Sequence, residues 1–139
     1  RGEDEISDNA GPYLNIRPES SPYGNGVGVG YEDNSENVYV FSTDYYPAVD
    51  TWTHLAVTRS SDGQLSIYSN GNLLSQWDST ATPTSNCFQE LTIGSLWTNN
   101  GTMILKGFFT GAIDEVRIWN VARSGAEIAA NYNCLIDPA

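Results

Sequence analysis

Asp114 and Glu115 stand side by side in the stretch Gly-Ala-Ile-Asp-Glu-Val-Arg-Ile-Trp-Asn (111–120), with Arg117 two residues further on. Two carboxylates can cleave a glycosidic bond when they lie about 5 Å apart on the same side of the sugar. The stretch alternates apolar and polar residues, which predicts a strand. On a strand, neighbouring side chains point to opposite faces. Asp114 and Glu115 therefore cannot bracket one bond. Glu115 and Arg117 share a face and are expected to form a surface ion pair. Asp114 shares its face with Val116 and Ile118, which belong in a core, and an inward carboxylate needs partners. Two roles stay open for it: acceptor of backbone N–H groups from a loop, or ligand of a cation.

Other residues could also do chemistry. Glu32 and Asp33 open the polar segment Glu-Asp-Asn-Ser-Glu-Asn (32–37), dense in the hard oxygen donors that calcium takes. Its spacing does not match a helix–loop–helix calcium loop, so a solvated turn is the competing expectation. Tyr45, Tyr46 and Trp97 fall in expected loops, where an aromatic face can stack on a sugar ring. Asn99 and Asn100 beside Trp97 could add amide hydrogen bonds to hydroxyls. Asn100-Gly101-Thr102 is also an N-glycosylation sequon. The single histidine, His54, lacks a nearby nucleophile and is expected to be packed and hydrogen-bonded. Cys87 and Cys134 fit no metal-knuckle spacing. They are read as one disulfide, worth about 4 kcal/mol in the chain-entropy account, which implies an oxidising, extracellular setting.

Composition narrows the partners. With 6 Lys+Arg against 17 Asp+Glu, the 139-residue chain carries a formal charge of −11. That balance repels phosphate backbones and anionic lipid, so no nucleic-acid partner is expected. No apolar run is long enough to span a bilayer, so no membrane insertion is expected either. The length suits one domain, residues 1–139, with a single core.

Elements to carry these residues can be read along the chain. Tyr-Leu-Asn-Ile-Arg (13–17), Val-Gly-Val-Gly-Tyr (27–31) and Val-Tyr-Val-Phe-Ser (38–42) have strand composition. Residues 51–59 form the clearest strand, with Trp52, His54 and Ala56 on one face and Leu55 and Val57 on the other. Residues 64–77 read as a hairpin about Asn70-Gly71. Further strands are expected at 89–95, partly over 103–109, and at 111–119. Ser124 and Glu127 form a capping-box pattern at the start of one short helix, which Ile128 would dock. Trp52, Trp77 and Trp119 lie in or at the ends of strands and are expected in the core or on a sheet surface. Closely spaced strands with turn signals between them predict an all-β sandwich or barrel.

Three stretches together resemble a known family: residues 52–74, 91–95 and 108–128, the last reading Phe-Phe-Thr-Gly-Ala-Ile-Asp-Glu-Val-Arg-Ile-Trp-Asn-Val-Ala-Arg-Ser-Gly-Ala-Glu-Ile. They resemble the laminin G-like jelly-roll domain of the concanavalin A-like lectin/glucanase superfamily. The resemblance implies an antiparallel jelly-roll β-sandwich with one short C-terminal helix. It also raises the cation role of Asp114, which joins Asp33 and Glu32 of the polar segment as a candidate Ca2+ ligand. Glu3, Glu5 and Asp8 faintly resemble the carboxylate ladder of the superfamily's glucanases. Asp4 and Ser7 stand where that ladder needs apolar residues, so a solvated acidic loop is expected. Members of the family open with a Phe-Asp-Gly-type segment and a Trp-containing strand pair, and neither is present. The chain is thus expected to lack its opening strands, which a longer native protein or a neighbouring chain would supply.

The resulting expectation is a non-enzymatic extracellular or cell-surface module that binds carbohydrate or protein within a larger adhesive or matrix protein. The alternative is a structural subunit of a filament, sheath or surface layer assembled through strand pairing. A glucanase-like hydrolase comes third.

Overall fold

The structure, a computed structural model, describes residues 12–17, 25–35, 37–85, 91–99 and 103–134. Eight strands and one helix run in the order β1 (Tyr13–Arg17), β2 (Gly26–Glu32), β3 (Val38–Ser42), β4 (Leu55–Arg59), β5 (Gln64–Ser69), β6 (Asn72–Asp78), β7 (Leu96–Asn99), β8 (Met103–Lys106) and α1 (Gly125–Asn131). They make two three-stranded antiparallel sheets, β1-β2-β3 and β4-β5-β6, and a two-stranded β7-β8 ribbon. The two larger sheets form the β-sandwich, and its class is the expected jelly roll.

The central strands hold the sandwich together. On β2 the inward positions are Val27, Val29 and Tyr31, and on β5 they are Leu65 and Ile67; these form one buried cluster. Tyr39 and Phe41 of β3, Leu55 and Val57 of β4, and Trp77 of β6 pack around it. Tyr31 stacks on Tyr39, with ring centroids 5.3 Å apart, and Phe41 tilts against Trp77 at 5.6 Å. Alternate residues of β2 are glycines. Gly30 lies directly opposite Tyr13 in the β1–β2 register, and the Tyr13 ring covers it so closely that a side chain there would collide.

The hairpin read from Asn70-Gly71 forms as expected. Both residues adopt positive φ, 47° and 78°, as a type I′ turn requires. A register shift between Ile67 and Tyr68 makes a bulge in the β5–β6 pair. Two residues then oppose one, which resets the inward face so that Leu74 and Trp77 both reach the core. The capping box also forms. Ser124 Oγ accepts from Glu127 N, and the Glu127 carboxylate accepts from Ser124 N. Those N–H bonds hold the Glu127 carboxyl below its usual range. Ile128 is buried, and α1 rests on the hairpin turn, where Gly71 meets Ala129 and Tyr132.

A strap from Ser79 to Thr84 crosses between the sheets. Ser79 N donates to Gly63 O, Thr84 N donates to Glu32 O at 2.7 Å, and the Tyr31 hydroxyl meets Ser79 Oγ at 2.6 Å. The Ala81 carbonyl accepts from both the Tyr31 hydroxyl and the Arg59 guanidinium.

Three expected strands need correction. Residues 112–119 are not a strand: Glu115 takes φ 52°, and that left-handed residue breaks the extended run. Residues 91–95 are not a strand but run irregularly into a bend at 93–95, and 89–90 lie outside the described residues. The strand expected over 51–59 begins only at Leu55, so Trp52 is exposed. Conversely, the loop expected at 96–102 contains β7, paired with β8 in the register Asn99↔Met103.

Candidate functional site

Both larger sheets end in an open edge on the same side of the core. Strand β1 is an edge of its sheet, and β4 is an edge of the other. Leu14 and Ile16 point to the inner face with Val29 and Val27, yet they remain 46% and 43% exposed. Beside them lies a cleft of about 410 Å³, walled by β1, β2, β4 and the segment Arg117–Arg123.

Arg59 is the least expected side chain here. In the β4–β5 register Leu55, Val57 and Arg59 oppose Ser69, Ile67 and Leu65, which puts an arginine on the inward face of a sandwich strand. Its guanidinium donates to the Ala81 carbonyl at 2.9 Å, but its Nε is buried and has no hydrogen-bond partner among the described residues. Arg117 repeats the pattern. It reaches Glu115 Oε2 at 2.9 Å and the Cys134 carbonyl, while its buried Nε has no hydrogen-bond partner among the described residues. A buried donor without a partner costs about 1–3 kcal/mol. Arg123 pairs with Glu127 at 2.9 Å and lies over the Trp119 ring at 4.1 Å, a contact worth about 0.5–1 kcal/mol when exposed.

Three of the six Lys+Arg residues therefore wall one cleft in a chain of charge −11. None of its described lining residues is acidic. The alternation of Leu-Ala-Val-Thr-Arg carried the signal for Arg59, since its parity is that of Leu55 and Val57. Only the position of the opposite sheet turns that parity into a buried cation.

The residues named from sequence fare differently. Glu115 and Arg117 form the expected ion pair, although on irregular backbone. Asp114 accepts from the Glu115 amide, so one of its two candidate roles, backbone acceptor, is filled locally. Asp33 takes four hydrogen bonds, from the amides of Ser35 and Asn37, the Asn37 side chain and the Tyr39 hydroxyl. Those bonds, led by Asn37, hold its carboxyl below the usual range. Glu32 is fully buried on β2. Both oxygens of Asp33 are engaged by its own turn, and no metal-holding group of three acidic, His or Cys residues occurs among the described residues.

Tyr45 packs against the core, and its hydroxyl accepts from Ser69 Oγ at 2.9 Å. Tyr46 is half-buried with an unpartnered hydroxyl. Trp97 and Asn99 lie on β7, but their side chains, like the whole of Asn100 and its sequon, lie outside the described residues. Cys134 carries a free, exposed thiol, and Cys87, its expected disulfide partner, lies outside the described residues. Glu3, Asp4, Glu5, Ser7 and Asp8 lie outside them too. Trp119, like Trp52, is exposed rather than in the core: it stands 53% exposed at the cleft.

His54 borders this region. Its ring faces Tyr132 at 6.1 Å, and its buried Nδ1 lacks the hydrogen bond expected for it. Burial, and then the Arg117 charge, push its pKa below 6.5. Above that value the ring is neutral in both folded and unfolded chains. As pH falls through 6.5 the unfolded chain takes the proton first, so stability declines until the folded ring also titrates. Chemical-denaturation midpoints are expected to fall between about pH 7.5 and 5.5, and His54→Gln should flatten that slope. A ring titration by NMR at or above the ordinary histidine value would contradict this. The depressed carboxyls of Asp33, Asp62 and Glu127 act only at lower pH.

No helix among the described residues is long and apolar enough to cross a membrane. A family model described as the concanavalin A-like lectin/glucanases superfamily matches residues 5–129. Among solved structures, an S-layer domain-containing protein from Clostridium thermocellum is similar, with a TM-score of 0.53 and 20% sequence identity. The match covers 91% of this chain and spans 58% of the length of that one, and at this identity the likeness concerns the fold alone. No curated protein matches the chain.

Proposed function

Since the chain belongs to the concanavalin A-like lectin/glucanases superfamily, we propose that it is a non-enzymatic recognition module of the cell exterior or surface. It binds carbohydrate or an extracellular protein as one part of a larger adhesive or matrix protein. The observation that carries this reading is the open cleft between the sheets, with Trp119 and three arginines in its wall. A rigid sandwich with such a recess is a natural binding scaffold. Glycoside cleavage needs two carboxylates facing one another across a recess. The described wall of this one holds none, and Glu115 and Asp114 are engaged by Arg117 and a backbone amide.

A second reading, a subunit of a surface layer, rests on different observations. Ile113, Val116, Ile118 and Val121 are exposed on backbone that pairs with no strand, beside the free edges of β1 and β4. Strands from the rest of a longer chain, or from a neighbour, would cover them. The name of the similar Clostridium thermocellum protein agrees with that setting.

Affinity electrophoresis through gels loaded with neutral and acidic polysaccharides, alongside light scattering, separates the two. Retardation in at least one gel by a monomeric protein is expected. Ordered assembly with no retardation, and no binding to matrix proteins immobilised in parallel, would overturn recognition in favour of assembly.

A further inference from the structure

One sheet edge and one run of backbone in this molecule are each suited to pairing, and neither is paired among the described residues. The edge belongs to β4. Asn70 N donates to His54 O and Ser60 N to Gln64 O, so hydrogen-bonded pairs stand at both ends of the β4–β5 ladder. Such pairs alternate along an antiparallel ladder. Ala56 and Thr58 therefore bond to β5. The N–H and C=O groups of Leu55, Val57 and Arg59 point away from it, to the side where the sheet ends. The side chains of these three residues share the inward face.

The run is residues 112–119. Extended, it places Asp114, Val116 and Ile118 on one face and Glu115 and Arg117 on the other. Val116 and Ile118 are exposed. Laid antiparallel along β4, the first face matches the edge residue for residue: Ile118 opposite Leu55, Val116 opposite Val57, Asp114 opposite Arg59. Two apolar pairs and one carboxylate–guanidinium pair result, the combinations that stabilise neighbouring strands. Sliding the run by two residues sets a charge against an aliphatic side chain, and so does the parallel alignment of the same residues.

The two charges are available to each other. Arg117 and Arg123 already hold Glu115 and Glu127. Arg59 donates to the Ala81 carbonyl, Asp114 accepts from the Glu115 amide, and neither has an ion pair among the described residues. Arg59 Nε is buried, so the contact falls to the terminal nitrogens. Within one copy the run does not lie on the edge. Its end, Arg117–Arg123, walls the cleft that β4 also walls, and Glu115 at φ 52° interrupts its extension. Extending Glu115 would relieve a conformation that residues other than glycine avoid, and it would keep Glu115 and Arg117 together on the outward face. Each copy thus offers an edge and a run, and two copies can satisfy one another reciprocally. The chain's charge of −11 opposes association, but three of its six Lys+Arg residues stand in this wall and no described lining residue is acidic. Repulsion between acidic groups farther off is screened beyond roughly 8 Å at physiological salt.

We propose that residues 112–119 of one copy extend and add to the β4 edge of a second copy, in the antiparallel register that sets Asp114 against Arg59, Val116 against Val57 and Ile118 against Leu55. The proposal rests on the surface-layer reading and names the contact through which copies join.

Light scattering over a concentration series should show association. Amide exchange followed by NMR should show new protection at Leu55, Val57 and Arg59, with little change at Ala56 and Thr58. Arg59→Asp and Asp114→Arg each bring like charges together and should weaken association by about tenfold or more. Mixed, the two variants are complementary at both contacts and should associate as the unaltered chain does. Ile118→Glu, at an exposed position outside the core, should abolish association and leave the unfolding midpoint unchanged. With Asp114→Arg it carries the test if Arg59→Asp does not fold. Full association by Asp114→Arg or Ile118→Glu, or a mixture of folded variants as weak as its parts, would overturn the proposal and leave assembly through another surface. The same protection pattern in a chain that stays monomeric would overturn it in favour of the run closing on its own β4. No association up to roughly millimolar protein would overturn it together with the surface-layer reading, and recognition would stand.

Discussion

Truncating Ile67 to alanine is expected to lower the unfolding free energy by about 2–5 kcal/mol. Ile67 is 0% exposed at the middle of β5, opposite Val57 in its sheet and against the buried face of β2. Its loss removes transfer energy and leaves a cavity between two sheets that cannot close on it, because their backbones are tied by ladders on either side. Against a total stability of roughly 5–15 kcal/mol for a domain, that is a large fraction. Urea denaturation followed by tryptophan fluorescence measures it. A loss below about 1 kcal/mol would mean that the sheets do not meet at Ile67.

The second large effect belongs to Gly63. It closes the β4–β5 turn with φ +94°, and a Cβ there would overlap the carbonyl oxygen of Ser79. Gly63→Ala thus carries two costs, a backbone conformation that L-residues avoid and a collision with main chain that cannot swing away. Together they are expected to reach about 2–4 kcal/mol. Gly94 supplies the comparison. Its φ is +76°, but a Cβ there would meet only the tip of Ile113 at 3.5 Å, an ordinary contact. Gly94→Ala should therefore cost only about 1 kcal/mol, the backbone part alone. Equal midpoints for the two variants would show that the Ser79 contact is not rigid.

Much of this architecture was legible because its determinants are local. Asn70-Gly71 supplies the two left-handed residues of its turn, and Ser124 with Glu127 supplies a reciprocal cap within one helical turn. The strand character of β2, β3 and β5 also follows from composition and alternation. What was not legible depends on partners far along the chain. Ile113 to Trp119 alternates as a strand should, but a strand exists only where another edge pairs with it; here Glu115 turns left-handed and the run stays single. The β7–β8 ribbon was hidden by competing readings of one signal. Asn100-Gly101 lies between two pairable runs, as Asn70-Gly71 does, but the same residues also make a sequon. The candidate cleft was least visible. Arg59 sits on an inward parity that predicts an aliphatic residue, and only the gap beside β1 makes room for its charge.

The strap from Ser79 to Thr84 bears on how the molecule would carry load. Adhesive and surface-layer proteins are pulled, and apolar contact between two sheets resists sliding poorly because it has no direction. The strap adds directional links: Ser79 to Tyr31, Thr84 to Glu32, and one carbonyl, Ala81, gripped by residues of both sheets. Shear between the sheets would have to stretch these bonds together rather than in turn. The segment without regular secondary structure is therefore the mechanical cross-tie of the sandwich.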